Sequence, residues 1–143
     1  MRIELLFLGK TRRKEIRALL DDYTERIARF AEIDIRELRE DSPAAMRRLE
    51  LPAGATVVLL DAGGKKFDSG QFAAWIGSCR NNSVRHLIFL GGAAEGFPEA
   101  LTRRATVRLS LSPLTFSHEL ARVMLAEQIY RAFAILSGHP YPK

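Results

Sequence analysis

The chain reads as an α/β domain built on a parallel sheet. Three observations lead there. Short runs dense in Leu, Ile, Val and Phe recur at Arg2–Leu8, Thr56–Leu60, Leu87–Leu90 and Val107–Ser110, and near-continuous apolar runs belong to strands covered on both faces. The segments between several of them carry the spacing of amphipathic helices. Strands that alternate with helices in this way form parallel sheets, whose ligands bind beyond the carboxyl ends of the strands. A length of 143 residues suits one domain.

The elements follow in order. Arg2–Leu8 is a strand closed by Gly9. Lys14 to Phe30 is a helix, with Ile16, Leu19, Leu20, Tyr23, Ile27 and Phe30 on one face. Ile33–Leu38 alternates in part and fits a second strand. Asp41-Ser42-Pro43 looks like a helix cap with proline in the first turn, and the short helix after it is broken by Leu51-Pro52-Ala53-Gly54. Thr56–Leu60 is a β-branched strand ending at Asp61, with a turn at Ala62-Gly63-Gly64-Lys65. Ser69 can cap a helix that runs through Cys79. Leu87–Leu90 is a buried strand ending at Gly91-Gly92, Pro98 to Ala105 is a short helix, Val107–Ser110 is the last strand, and His118–Leu136 is the last helix. Three strand ends, at Asp61, at Gly91-Gly92 and at Leu111–Phe116, are therefore expected to form the pocket.

Composition narrows the function. The hydrophobic share of 47% supports a globular core. No apolar run reaches the roughly 20 residues that span a bilayer, so no membrane partner is expected, and the N-terminus lacks the form of a signal peptide. Cys79 is the single cysteine, there is no zinc spacing, and a reducing cytoplasm fits. The net charge is +5, and from residue 102 onward six basic residues face two acidic ones. A basic surplus beside Tyr130, His139 and Tyr141 favours an anionic partner such as RNA.

The motifs are few. Gly91-Gly92-Ala93-Ala94-Glu95-Gly96 lets backbone approach a ligand, but it is neither the dinucleotide fingerprint nor a Walker loop, which disfavours a flavodoxin-like nucleotide binder. Leu111-Ser112-Pro113-Leu114-Thr115-Phe116 mixes apolar side chains with two hydroxyls and can wrap an adenine ring; it can equally be a core plug, with Ser117 capping the next helix. Glu127 and Arg131 have the spacing of a surface pair. Arg122 falls on the same general side of the last helix as His118. Beyond the helix, Pro140 and Pro142 stiffen the tail that holds His139 and Tyr141. Nothing forms a Ser-His-Asp set or a metal cluster.

Taken together, Leu60-Asp61 with Gly64-Lys65, the Gly-Gly…Glu-Gly loop, the pattern S-L-S-x-L-T-F-x-H-x-x-x-R-V-x-x-x-E-Q-x-Y-R-A from Ser110 to Ala132, and a terminal Pro-Tyr segment resemble the RlmH family. These are the large-subunit ribosomal RNA pseudouridine N3-methyltransferases of the SPOUT superfamily. The likeness spans nearly the whole chain and is strongest from residue 56 onward. It implies a single SPOUT-type domain with a C-terminal trefoil knot, S-adenosylmethionine as methyl donor without a metal, a homodimer, and ribosomal RNA, in the assembled ribosome, as substrate. By position it implies cofactor contacts at Leu60, Gly91, Gly92, Leu111, Ser112, Pro113, Leu114, Thr115 and Phe116. The last helix should cross the dimer, which brings Arg122, Tyr130, Arg131, His139, Tyr141 and Lys143 to the RNA side. Catalysis would fall to Arg122, His118, His139 and Tyr141: cations such as Arg122 or Lys143 stabilise the anion of the target nitrogen, and His118 or His139 accepts its proton.

The chain departs from the family pattern in three places. The glycine loop is one residue longer than Gly-Gly-x-x-Gly. The stretch between the second and third strands is about one helix short. The end reads Tyr141-Pro142-Lys143 where members end in Tyr-His-Arg or Tyr-His-Lys, so no role passes to a terminal histidine. Two other readings stay open on these residues: a SPOUT methyltransferase with another target such as transfer RNA, and a non-catalytic RNA-binding homologue.

Overall fold

A computed structural model describes residues 1–38, 44, 49–91 and 97–141. Gly92 and the rest of the glycine loop through Gly96, the cap expected at Asp41-Ser42-Pro43, and Pro142 with Lys143 lie outside the described residues. The elements are β1 (Arg2–Leu8), α1 (Lys14–Ile27), β2 (Glu32–Leu38), β3 (Thr56–Lys66), α2 (Ser69–Asn81), β4 (His86–Gly91), α3 (Glu99–Arg104), β5 (Val107–Ser110) and α4 (His118–Ser137). The strands form one five-stranded sheet in the order β2-β1-β4-β3-β5. Every pairing is parallel.

The alternation of side chains along each strand divides the core in two. Ile3, Leu5 and Phe7 of β1 and Phe89 of β4 face α1, α2 and α4, where they meet Ile16, Leu20, Ile76, Leu125, Ile129 and Phe133. Leu6, Leu8, Val57, Leu59, Ile88 and Leu90 face the other way, toward Leu101 of α3 with Phe97 and Leu51. Central β1 and β4 are almost wholly buried. β2, at the sheet edge, alternates between exposed and half-buried residues. Glu4 is the buried charge on β1, and it faces His86 Nε2 at 3.1 Å.

Four local expectations change. α1 stops at Ile27 rather than Phe30, and Leu19 is 45% exposed, outside the buried face. Phe30 still reaches the core by stacking on Phe133, centroids 5.7 Å apart. Asp68, not Ser69, caps α2: its carboxylate accepts from the Gln71 N–H, and the Gln71 side chain accepts from the Asp68 N–H. This reciprocal pair is a capping box. β3 does not end at Leu60 but runs on to Lys66, with a register shift against β5 between Leu60 and Lys65. Gly64 makes that shift possible, because a Cβ there would sit 2.7 Å from the backbone of Arg108.

Candidate active site

The middle of β3, where its register against β5 shifts, the end of β5 and the loop before α4 enclose a cavity of about 490 Å³. Leu59, Leu60, Asp61 and Ala62 line it from β3, Phe97 and Thr102 from the α3 side, and Arg108 and Leu109 from β5. Leu111, Ser112, Leu114, Thr115 and Phe116 close it, with His118 and Ala121 of α4. Of the nine positions expected to meet a cofactor, six line this one space. Pro113 is exposed and is not part of the lining. Gly91 acts through a neighbour: a Cβ there would come within 3.0 Å of Leu60 Cδ1 and push that wall inward.

Local hydrogen bonds shape the loop. Ser110 Oγ donates to the Ser112 carbonyl at 3.2 Å, and Ser112 Oγ accepts from the Leu114 N–H at 3.0 Å. Ser117 Oγ accepts from the Leu120 N–H at 3.3 Å, the cap expected for α4. Asp61 accepts from the Gly63 N–H at 3.0 Å and faces Arg108 Nη1 at 3.7 Å. The walls are apolar, the rim carries one charge of each sign, and Leu114 is 72% exposed.

Arg122 is not where the sequence placed it. It is 3% exposed and points under the sheet edge rather than to a surface where RNA can reach. Its Nη1 donates to Thr11 Oγ1 at 2.9 Å, its Nη2 donates to the Leu8 carbonyl at 3.0 Å, and Glu37 lies 3.5 Å away. The guanidinium also sits 4.8 Å from the Phe7 ring centroid. Burial lowers its pKa, with Glu37 and Glu119 opposing that shift, yet an arginine so placed stays charged. Its Nε has no partner among the described residues. Glu37 is also held by Arg17 Nη2 at 2.5 Å and by the Thr11 N–H. Burial alone would raise its pKa, but these bonds and the Arg17 charge outweigh burial and hold the carboxyl below its usual range.

Tyr130 is likewise buried, among Tyr23, Phe30 and Tyr141. A side chain in that cluster offers no face to RNA. Tyr141 packs edge-on against Tyr130 with centroids 4.8 Å apart, and Arg131, paired with Glu127 at 2.7 Å, lies 4.6 Å over the Tyr141 ring. Burial, the 3.4 Å contact with Tyr23 Oη and the nearby Glu127 raise the Tyr141 pKa. His118 and His139 are both exposed. Tyr130 is twelve residues on from His118, about 18 Å along the axis at 1.5 Å per residue. The tail that folds back onto Tyr130 is therefore remote from its own chain's cavity.

No described helix is long and apolar enough to cross a membrane. The family model described as "Predicted SPOUT methyltransferase" matches residues 1–142. A protein of Pelobacter propionicus named ribosomal RNA large subunit methyltransferase H is 42% identical, with 99% of each chain covered. Its namesake in Geobacter metallireducens is 43% identical, covering 99% of this chain and 98% of its own. That of Gemmatimonas aurantiaca is 40% identical over the whole of both chains. Among solved structures, a methylase family protein from Haemophilus influenzae superposes with a TM-score of 0.55 at 10% identity, covering 99% of this chain and 72% of the other, a likeness of fold alone. The parallel sheet, the cavity at the carboxyl end of β5 and full-length similarity converge, and the chain belongs to the SPOUT methyltransferase family.

Proposed function

We propose that this protein transfers a methyl group from S-adenosylmethionine to N3 of a pseudouridine in large-subunit ribosomal RNA, as a homodimer in the cytoplasm acting on assembled ribosomes. The observation that carries the reading is the cavity between the middle of β3 and the end of β5, where the Leu111–Phe116 loop meets Leu60 and His118. Identities of 40–43% over full length to relatives named for large-subunit rRNA methylation support the substrate. A C-terminal trefoil knot belongs to the same reading.

The residues fit the cofactor. The space lies within the roughly 300–1,000 Å³ of small-molecule sites. Leu59, Leu60, Leu109 and Leu111 give apolar walls for a purine, Ser112 and Thr115 give hydroxyls for its polar edge, and Gly91 keeps the Leu60 wall in place. When bound, S-adenosylmethionine supplies an electrophilic methyl on a sulfonium. The chain must then orient the target nitrogen and remove its proton. Orientation alone can contribute roughly 7–11 kcal/mol. His118 accepts the proton in this reading, supported by its exposure in the cavity wall. Tyr141, its pKa raised by burial and by Tyr23, stays neutral and serves as a hydrogen-bonding group rather than a base. Arg122 holds the scaffold. Stabilisation of the developing anion passes to Arg108 at the cavity rim, with Lys143 of a tail.

A dimer resolves the separation between cavity and tail. Leu114 in the cavity lining, and Leu120 with Met124 four residues on along α4, are 72%, 46% and 44% exposed, and we read them as one apolar strip. Packing that strip against a second copy brings the partner's tail, with His139, to the site. Labelled S-adenosylmethionine, incubated with the protein and either undermethylated ribosomes or free rRNA, should place methyl on a large-subunit pseudouridine. Methyl found only on transfer RNA would replace the substrate, and failure to bind S-adenosylmethionine would end the reading.

A further inference from the structure

The loop between β1 and α1, read into the first residue of that helix, is Lys10-Thr11-Arg12-Arg13-Lys14. Thr11 is buried, while Lys10, Arg12, Arg13 and Lys14 are all exposed. None of these four cations has an ion-pair partner among the described residues. The backbone beneath them is tied down. Gly9, at φ +91°, turns the chain out of β1, and its N–H donates to the Leu38 carbonyl at 2.8 Å. Thr11 turns inward to Arg122 at 2.9 Å, and its N–H donates to Glu37. No side chain of α1 caps that helix; Glu119 of α4 takes that place, accepting from the N–H groups of Arg12 and Arg13 at 3.1 and 2.9 Å.

Glu119 is the residue after His118, which lines the cavity. The loop therefore sits at the carboxyl end of the sheet, beside the site, and is fixed there by backbone contacts that leave every cation facing out. A polyanion meeting this surface would not have to order the loop first, so less of its binding energy is lost. We infer that Lys10, Arg12, Arg13 and Lys14 form a preorganised surface that grips the phosphate backbone of the substrate RNA next to the cavity, with Arg122, Glu37 and Glu119 as the residues that position it. The inference rests on the proposed rRNA methyltransferase reading and specifies where that RNA is held.

The test compares the wild type with Lys10→Gln/Arg12→Gln/Arg13→Gln/Lys14→Gln and with a control, Arg80→Gln/Arg85→Gln, which changes exposed cations at the opposite end of the sheet. Sedimentation binding to large ribosomal subunits is followed across a salt series, alongside S-adenosylmethionine affinity and the melting temperature. Each phosphate contact contributes roughly 0.7–0.9 to the slope of log K against log salt. The loop variant should lose about 3 units of slope and bind about tenfold or more weakly, with cofactor affinity and melting temperature retained. The control should match the wild type, and Arg12→Lys/Arg13→Lys, which keeps the charge, should stay close to it. Equal slopes for the loop variant and the control overturn the inference. A wild type that binds subunits through the loop without methylating them overturns the proposed reaction instead. A wild type that binds no RNA overturns both.

Discussion

Replacing Arg122 by methionine separates a structural arginine from a catalytic one. Methionine keeps the length of the stem and removes the guanidinium. Two charge-assisted hydrogen bonds go, to Thr11 and to the Leu8 carbonyl, along with the contact over Phe7. Each such bond is worth about 1.5–3 kcal/mol, and the cation–π contact up to about 2 kcal/mol. Against this, the variant no longer buries a charge, nor an Nε that lacks a partner, which returns about 1–3 kcal/mol. The net loss should be about 3 kcal/mol, in line with breaking one side of a buried pair. At roughly 2–4 °C per kcal/mol for a chain near this size, the melting temperature should fall by about 6–12 °C at fixed protein concentration. A double-mutant cycle with Thr11→Val should show coupling of at least about 0.5 kcal/mol, because the two side chains share one bond. Methyl transfer measured well below the new melting point should fall through weaker RNA binding, with S-adenosylmethionine affinity kept. A variant that melts within about 2 °C of wild type yet loses turnover at saturating RNA would refute this reasoning and return Arg122 to the chemistry.

Other outcomes follow from the same structure. Gly64→Ala forces a Cβ to 2.7 Å from the Arg108 backbone; it should cost about 1–3 kcal/mol in urea unfolding and weaken S-adenosylmethionine binding, since β3 and β5 wall the cavity. Glu37 has a lowered pKa in the fold. Its contribution is therefore complete above the ordinary glutamate value of about 4.3 and is lost as pH falls through the lower folded value; Glu37→Gln should flatten that acid limb in pH-dependent melts. Leu120→Glu with Met124→Glu, on the exposed strip of α4, should give monomers by ultracentrifugation that bind cofactor but do not methylate. His118→Gln should lower turnover by about 10²–10⁴-fold if it takes the proton, with little change in RNA or cofactor affinity.

Much of this protein is legible in its sequence, because local chemistry dictates it. Apolar runs as dense as those of β1 and β4 have few places to go but the middle of a covered sheet. A Ser beside an amphipathic segment announced the start of α4. The Leu111–Phe116 loop stands out because it mixes two hydroxyls with apolar side chains where a strand ends. Other features depended on parts of the chain distant in sequence. Gly64 looked like a turn residue, and only the pairing of β3 with β5 shows that it allows two backbones to approach. Ser69 was the obvious cap, but Asp68 had the matching Gln71 three residues on. Arg122 and Tyr130 were read as surface groups because their types favour exposure; burial was decided by Glu37, Thr11 and Tyr23, at 85, 111 and 107 positions away in sequence. The cations at residues 10–14 are muted in a regional count, since the four acidic residues of α1 leave residues 10–27 with a net charge of only +2. Which segments are strand and helix, and which family they belong to, follow from hydrophobic periodicity and short motifs, which are local. Which charges stay in water follows from packing, because desolvation is set by every element that surrounds a side chain.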